Sequence, residues 1–147
     1  MPGARDALEQ FHRLNVPTAV VSNSRFSEQV IRYELDKHGL ADHLAFVMAS
    51  TDYGVRKPSV LLFDTAAARL GLRPKDIWFI GDQLDTDIAG AKAAGMTAVW
   101  FNATHRHDPS RSADLIVASW DDVMRHVRQA TAMPEPGTQE AVAGIDD

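Results

Sequence analysis

The sequence predicts an α/β fold, a three-layer α/β/α sandwich built on a parallel sheet. Three observations predict it. Short apolar runs such as Thr18-Ala19-Val20-Val21 and Ile77-Trp78-Phe79-Ile80 recur along the chain, each closed by glycine or small polar residues. Between them lie longer stretches whose apolar residues repeat at helical spacing. Finally, Gly81-Asp82-Gln83-Leu84-Asp85-Thr86-Asp87 delivers carboxylates directly after one apolar run, and the carboxyl ends of strands are where open α/β sheets bind ligands.

Element by element, Ala7, Leu8, Phe11 and Leu14 share a face and predict a helix over 4–14. Residues 17–21 read as a strand covered on both sides, ending at Ser22-Asn23-Ser24. A helix is expected from Phe26 to His38, with Val30, Ile31, Tyr33 and Leu35 toward the core and Gly39 as its stop. A strand at 44–48 and a loop carrying Gly54 and Lys57-Pro58 precede a helix that buries Leu62, Phe63, Ala66, Ala67 and Leu70 and ends at Gly71. The strand 77–80, a helix from Thr86 to Ala94, the strand 97–101, a short strand at 115–117 and a helix from Trp120 to Val127 complete the pattern. Strands alternating with helices imply right-handed crossovers, so the sheet is parallel and Rossmann-like. Residues 1–130 form one domain. Pro134, Pro136, Gly137 and Gly144 among scattered polar residues predict a disordered tail over 131–147.

Composition narrows the function classes. The chain has 147 residues, enough for one core. A net charge of −5 gives no footprint for nucleic acid or an anionic membrane. Cysteine is absent, which excludes disulfides and thiol chemistry and suits a reducing compartment. No apolar signal segment opens the chain and no stretch reaches membrane-spanning length, so the expected location is cytoplasmic.

Three features fall at strand ends or beside them. Ser22-Asn23 offers a hydroxyl and backbone N–H groups to phosphate oxygens, although any turn before a helix also uses such residues. Lys57 precedes Pro58, which favours extended backbone there. The lysine can then reach a phosphoryl group, or it is a solvated loop cation. Asp82 and Asp87 are five apart, with Asp85 between them. Mg²⁺ takes such hard oxygen ligands, whereas acids in a first helical turn also complement the helix dipole. Asp82, straight after a buried strand, needs a partner. A calcium loop starting at Asp85 fails, because its fifth and twelfth positions are Ala89 and Met96. His105 and His107 are expected in solvent, and Trp78, Trp100 and Trp120 in packing.

The order of these features is more specific than any one of them. A strand followed by Ser22-Asn23, then Gly54-x-x-Lys57-Pro58-x-x-x-x-Phe63, then a strand with Gly81-Asp82-x-x-x-x-Asp87-Ile88 resembles the haloacid dehalogenase-like hydrolase superfamily, over about residues 2–127. The likeness is to its small phosphatases with a helical cap. That resemblance implies Mg²⁺-dependent hydrolysis of a phosphorylated small molecule. Ser22, helped by Asn23, would bind phosphate, Lys57 would stabilise it and the nucleophile, and Asp82 would ligate Mg²⁺. Asp87 would ligate the ion or hold its waters.

The resemblance also shows what is lacking. Members carry a nucleophile and a general acid/base on a central first strand that ends Asp-x-Asp. Here the only Asp-x-Asp is Asp85-Thr86-Asp87, and the sequence resembles the part that follows the cap. The chain alone is therefore expected to be inactive. A non-catalytic phosphate- or metal-binding module, or an interaction module on the same fold, is the alternative. A phospho-receiver fits less well, since it needs a lysine ending a late strand. Omitting the central strand would leave facing edges of 17–21 and 77–80 unpaired. Each orphaned buried group costs about 1–3 kcal/mol against a total stability of about 5–15 kcal/mol. The expected remedies are closure of the two strands on each other, a strand from a homodimer partner or complementing chain, or a marginal monomer.

Overall fold

A computed structural model of the protein describes residues 2–131 and 141–143. Elements run α1 (Ala4–Arg13), β1 (Thr18–Ser22), α2 (Glu28–Lys37), β2 (Phe46–Ala49), α3 (Ser50–Tyr53), α4 (Val60–Leu70), β3 (Ile77–Gly81), α5 (Ala89–Ala93), β4 (Thr97–Phe101), β5 (Leu115–Val117), α6 (Trp120–Thr131) and β6 (Ala141–Ala143). All strand pairs are parallel, in the order β2-β1-β6-β3-β4-β5.

Strand alternation sorts the core into two layers. Ala19, Val21, Phe79, Ala98 and Trp100 face one side, where Leu62, Phe63, Ala66 and Ala67 of α4 and Ala91 of α5 cover them. Val20, Val47, Ile80 and Val99 face the other, under Leu8 and Phe11 of α1 and Val123, Met124 and Val127 of α6. The expected α4 face is the buried one, and Gly71 ends that helix with φ 70°, a left-handed conformation that glycine adopts without a Cβ clash.

Helix α2 differs from the sequence reading. None of its residues is buried, and Val30 and Tyr33 are exposed at 43% and 63%. Only Ile31 and Leu35 pack on the core from one side of the helix. The helix lies at the margin of the sheet, so one narrow stripe suffices. The expected helix over Thr86–Ala94 is also split. Leu84–Ile88 forms a π-helical turn, with the Ile88 N–H donating to Gln83 O at 3.2 Å, before α5 begins.

The largest correction concerns the tail. Residues 131–147 were expected to be disordered, yet Ala141–Ala143 form a strand between β1 and β3. Val142 pairs with Thr18 and Trp78, and Ala143 with Ala19 and Phe79. The remaining tail positions, 132–140 and 144–147, lie outside the described residues. The central place, whose strand was expected to be missing from this chain, is thus filled by the chain itself. Closure of β1 on β3 does not occur, and a second chain is not needed to fill the gap. The physical reason is the one that made a gap untenable: two buried strand edges need a hydrogen-bonding partner. Ala143 is fully buried, its small side chain accommodated in the α4–α5 layer.

Candidate functional site

Strand β1 ends at Ser22, and the next residue ties it to the loop before α4. Asn23 Nδ2 donates to Lys57 O at 3.1 Å, and the Lys57 N–H donates to Asn23 Oδ1 at 2.8 Å. This two-bond clamp fixes the Lys57 backbone beside the end of β1, with a cis peptide to Pro58. A second anchor holds the same loop: the Ser24 N–H donates to Ser50 Oγ at 3.1 Å, and the Thr51 hydroxyl donates to Ser24 O.

Lys57 does not extend into solvent. Its Nζ donates to Val21 O at 3.1 Å and to Asp87 Oδ1 at 2.6 Å, and neither side chain of this ion pair is exposed. The other Asp87 oxygen, Oδ2, accepts the Gln83 N–H at 3.1 Å. Burying an ammonium and a carboxylate is expensive unless each is paired and hydrogen-bonded, and here both conditions hold. The ammonium also lies 5.6 Å from the centroid of the Phe79 ring. The π-helical turn serves this arrangement. It places Asp87 against Gly81, where an added Cβ would come within 2.4 Å of the Asp87 carboxyl. Only glycine permits that approach.

Asp82 follows Gly81 at the end of β3 and is half-buried. Its backbone carbonyl accepts Trp100 Nε1 at 3.1 Å and the Arg106 guanidinium. Asn102 positions that arginine by exchanging hydrogen bonds with the Arg106 backbone at 2.8 and 2.9 Å. Among the described residues, the Asp82 carboxylate has one distant contact, Gln83 Nε2 at 3.5 Å. The partner requirement expected for Asp82 is met instead at Asp87. Asp85 is exposed, and so are His105 and His107.

A cavity of about 580 Å³ opens beside Ser22 and Asn23. Its walls combine apolar side chains of α1 and α2, among them Leu8, Ile31 and Leu35, with the polar Arg5, Glu34 and His38. It does not include Lys57, Asp82 or Asp87, so it adjoins the polar cluster and shares only the β1 end with it.

Contacts therefore join Ser22, Asn23, Lys57 and Asp87 through neighbouring backbone, with Asp82 linked through Gln83. Sequence reasoning assigned Asn23 only a backbone role and missed its side-chain clamp on Lys57. It also missed Trp100, Asn102 and Arg106 as supports of Asp82. An asparagine directly after a strand-end serine was the available signal for the clamp, since Asn carries both a donor and an acceptor. Two carboxylates and no nitrogen or sulfur donors suit Mg²⁺, which commonly binds one or two carboxylates along with waters and substrate phosphates. Among the described residues, no group of three His, Asp or Glu side chains gathers at metal-binding distance. No helix among them is long and apolar enough to cross a membrane.

Comparison with known proteins identifies the family. A family model for haloacid dehalogenase-like hydrolase matches residues 1–95. The chain is 33% identical over 114 residues to ribulose-1,5-bisphosphate 5-phosphatase of Halopiger xanaduensis, covering 78% of this chain and 47% of that protein. Over 123 residues it is 33% identical to phosphoserine phosphatase of Thermus thermophilus, covering 83% and 49%. A crystal structure of a HAD phosphatase from Thermococcus onnurineus superposes with a TM-score of 0.79 at 28% identity, covering 86% of this chain and 57% of that one. The chain spans about half the length of the curated relatives it matches. With a family match over most of its length, phosphatase relatives 33% identical to it and a superposable solved structure, this chain belongs to the haloacid dehalogenase-like hydrolases.

Proposed function

We propose that this chain carries the phosphate- and Mg²⁺-binding part of a phosphohydrolase acting on a phosphorylated small molecule. In this reading the Ser22 hydroxyl and the backbone N–H of Asn23 receive the phosphate, and Lys57 neutralises its charge. Asp82 is the carboxylate that faces the ion. Asp87 holds Lys57 in place and orders water around the ion. The observation that carries the reading is the buried Lys57–Asp87 pair, set beside the ends of β1 and β3. A lysine kept out of water at a strand-end cluster is poised for an anion in a way a solvated loop lysine is not. When bound, Mg²⁺ would offset the negative charge that develops on the phosphoryl oxygens.

The substrate class is supported by the relatives, which are phosphatases named for ribulose 1,5-bisphosphate and phosphoserine. The cavity beside Ser22, lined by both apolar and polar side chains, would take the organic part of such a substrate. A cysteine-free, acidic chain is consistent with work in the reducing cytoplasm.

Turnover by these 147 residues alone is not expected. The only Asp-x-Asp is Asp85-Thr86-Asp87, and its second member is already engaged with Lys57. This feature also favours the second reading, a module that binds phosphate and metal without catalysis. Calorimetry with inorganic phosphate, with and without Mg²⁺, tests the site. Binding that depends on Mg²⁺ and disappears in Lys57→Ala and Asp82→Ala is the expected result, with no release of phosphate from an aryl phosphate. A wild-type chain that binds neither phosphate nor Mg²⁺ ends the reading and leaves a scaffold. Steady Mg²⁺-dependent hydrolysis abolished by Asp82→Ala shows that the chain is a complete enzyme.

A further inference from the structure

The loop that leaves β4 is built around one arginine. Asn102, 7% exposed, directly follows the strand. Its side chain accepts the Arg106 N–H at 2.8 Å and donates to Arg106 O at 2.9 Å. The His105 N–H donates to Asn102 O at 3.2 Å, and His105 is held at φ 53°, in the left-handed region that residues other than glycine seldom enter. A buried side chain engaged with both backbone groups of one exposed residue, beside a strained neighbour, fixes where the Arg106 side chain starts.

The far end of that side chain is placed as well. The guanidinium donates to the Asp82 carbonyl, which also accepts Trp100 Nε1 at 3.1 Å. Its central carbon lies 5.5 Å from the centroid of the Trp100 ring. Trp100 is level with Gly81 in the sheet, so the cation stands at the carboxyl end of β3, on the β4 side of Asp82. Among the described residues Arg106 forms no ion pair. The nearest acid in sequence, Asp108, is turned onto its own loop, where it accepts from the Ser110 N–H and hydroxyl and from the Ser112 N–H. A guanidinium has five N–H donors, and the Asp82 carbonyl has a donor in Trp100 without it. Bracing that carbonyl therefore leaves most of this cation's hydrogen-bonding capacity unexplained.

We propose that Arg106 reads a second anionic group on the substrate, a carboxylate at the end away from the phosphate, which makes the substrate class phosphate esters of hydroxy acids. This inference rests on the proposed phosphate- and Mg²⁺-binding reading of the site. In that reading the phosphate meets Ser22 and Lys57 on one side of Asp82, and Arg106 reaches Asp82 from the other. Only β6 separates β1 from β3, about 10 Å across two strand spacings, which a three-carbon phosphate ester covers with a hydrogen bond at each end. A carboxylate meets the edge of a guanidinium with two parallel hydrogen bonds. The Asp82 carboxylate repels a second anion unless its own charge is offset, so the test is made with Mg²⁺ present.

Calorimetry on the full chain at saturating Mg²⁺ compares 3-phosphoglycerate with glycerol 3-phosphate, which carries a hydroxymethyl group in place of the carboxylate. The wild type is expected to bind the carboxylate-bearing ester about tenfold or more tighter. Arg106→Ala should bring the two esters within about twofold of each other and leave inorganic phosphate within about twofold of its wild-type affinity. Arg106→Lys keeps the charge without the planar fork, so its preference should fall between the two. The lysine variant carries the comparison by itself if the alanine variant does not fold. An arginine that merely braced Asp82 would weaken phosphate and both esters alike, leaving their ratio unchanged. Equal wild-type affinity for the two esters, or a preference that survives Arg106→Ala, overturns this inference and leaves the site reading intact. A wild-type chain that binds neither ester nor inorganic phosphate overturns both.

Discussion

Lys57 Nζ lies 2.6 Å from Asp87 Oδ1 in a part of the molecule that neither side chain leaves. The two residues are 30 positions apart, and the pair joins the loop before α4 to the π-helical turn after β3. Removing one partner leaves the other charged and buried. Lys57→Met and Asp87→Asn should each lower unfolding free energy by about 3–5 kcal/mol. The double variant should lose clearly less than the sum, because a neutral site has no orphaned charge. Urea denaturation of the four proteins in the cycle measures both effects, and additive losses would mean that the two charges do not depend on each other.

The central strand makes a second prediction. A chain ending at Thr131 lacks β6 and leaves the facing edges of β1 and β3 without the partners that Ala141–Ala143 provide. With each buried orphan costing about 1–3 kcal/mol and several created together, the truncated chain should lose roughly 3 kcal/mol or more, or fail to fold. Ala143→Asp tests the same strand without deletion, since it places a carboxylate at a fully buried position in the α4–α5 layer. Thermal unfolding of both variants near that of the wild type would show that β6 does not hold the sheet together.

Strand β6 also marks where sequence reading stops. The β1 and β3 runs are legible because four or more apolar residues stand between turn signals, and α4 because Leu62, Phe63, Ala66 and Ala67 repeat at helical spacing. Ala141-Val142-Ala143 is three residues in a Pro- and Gly-rich segment, below the length at which periodicity speaks. What makes it a strand is the two edges it meets, a long-range property. The site divides in the same way. As candidates, Ser22, Lys57, Asp82 and Asp87 come from their order and spacing, but which acid holds the lysine depends on the π-helical turn. Sequence gave Asp82 the need for a partner, and packing gave the partner to Asp87. Val30 and Tyr33 were misread because apolar spacing cannot tell a helix over the sheet centre from one at its margin.

The support beneath α5 responds to acid. Asp114 accepts from Lys92 Nζ at 2.7 Å and from the Ala98 N–H at 2.8 Å, tying α5 to the start of β4. Burial alone would raise its pKa, but the Lys92 hydrogen bond, the Ala98 N–H and the Lys92 charge together outweigh burial and hold it below the ordinary carboxylate value. A depressed folded-state pKa contributes stability that is fully present above the unfolded value of about 3.9 and is lost as pH falls through the folded value. Wild-type stability should therefore fall between about pH 4 and the lower folded value, and Asp114→Asn should remove this part of the decline. Denaturation midpoints across pH 2–6 check it, and parallel curves for the two proteins would assign the acid sensitivity elsewhere.

Gly90 isolates packing from helix propensity. It sits in α5 with Phe63 of α4 against it, and an added Cβ would lie 2.2 Å from Phe63 Cε2. The ring cannot retreat, because Phe63 is fully buried and lies tilted against Phe79, with ring centroids 4.7 Å apart. In an open helix, replacing glycine by alanine would gain up to about 1 kcal/mol. Here the forced displacement of a packed ring costs about 1–3 kcal/mol, so the sign should reverse and Gly90→Ala should be destabilised. Adding Phe63→Leu, which removes the ring edge that the methyl meets, should make the alanine less costly than it is beside Phe63. A double-mutant cycle of chemical denaturation reads that coupling directly, and a stabilised Gly90→Ala single variant would mean that α4 and α5 can separate enough to admit a methyl group.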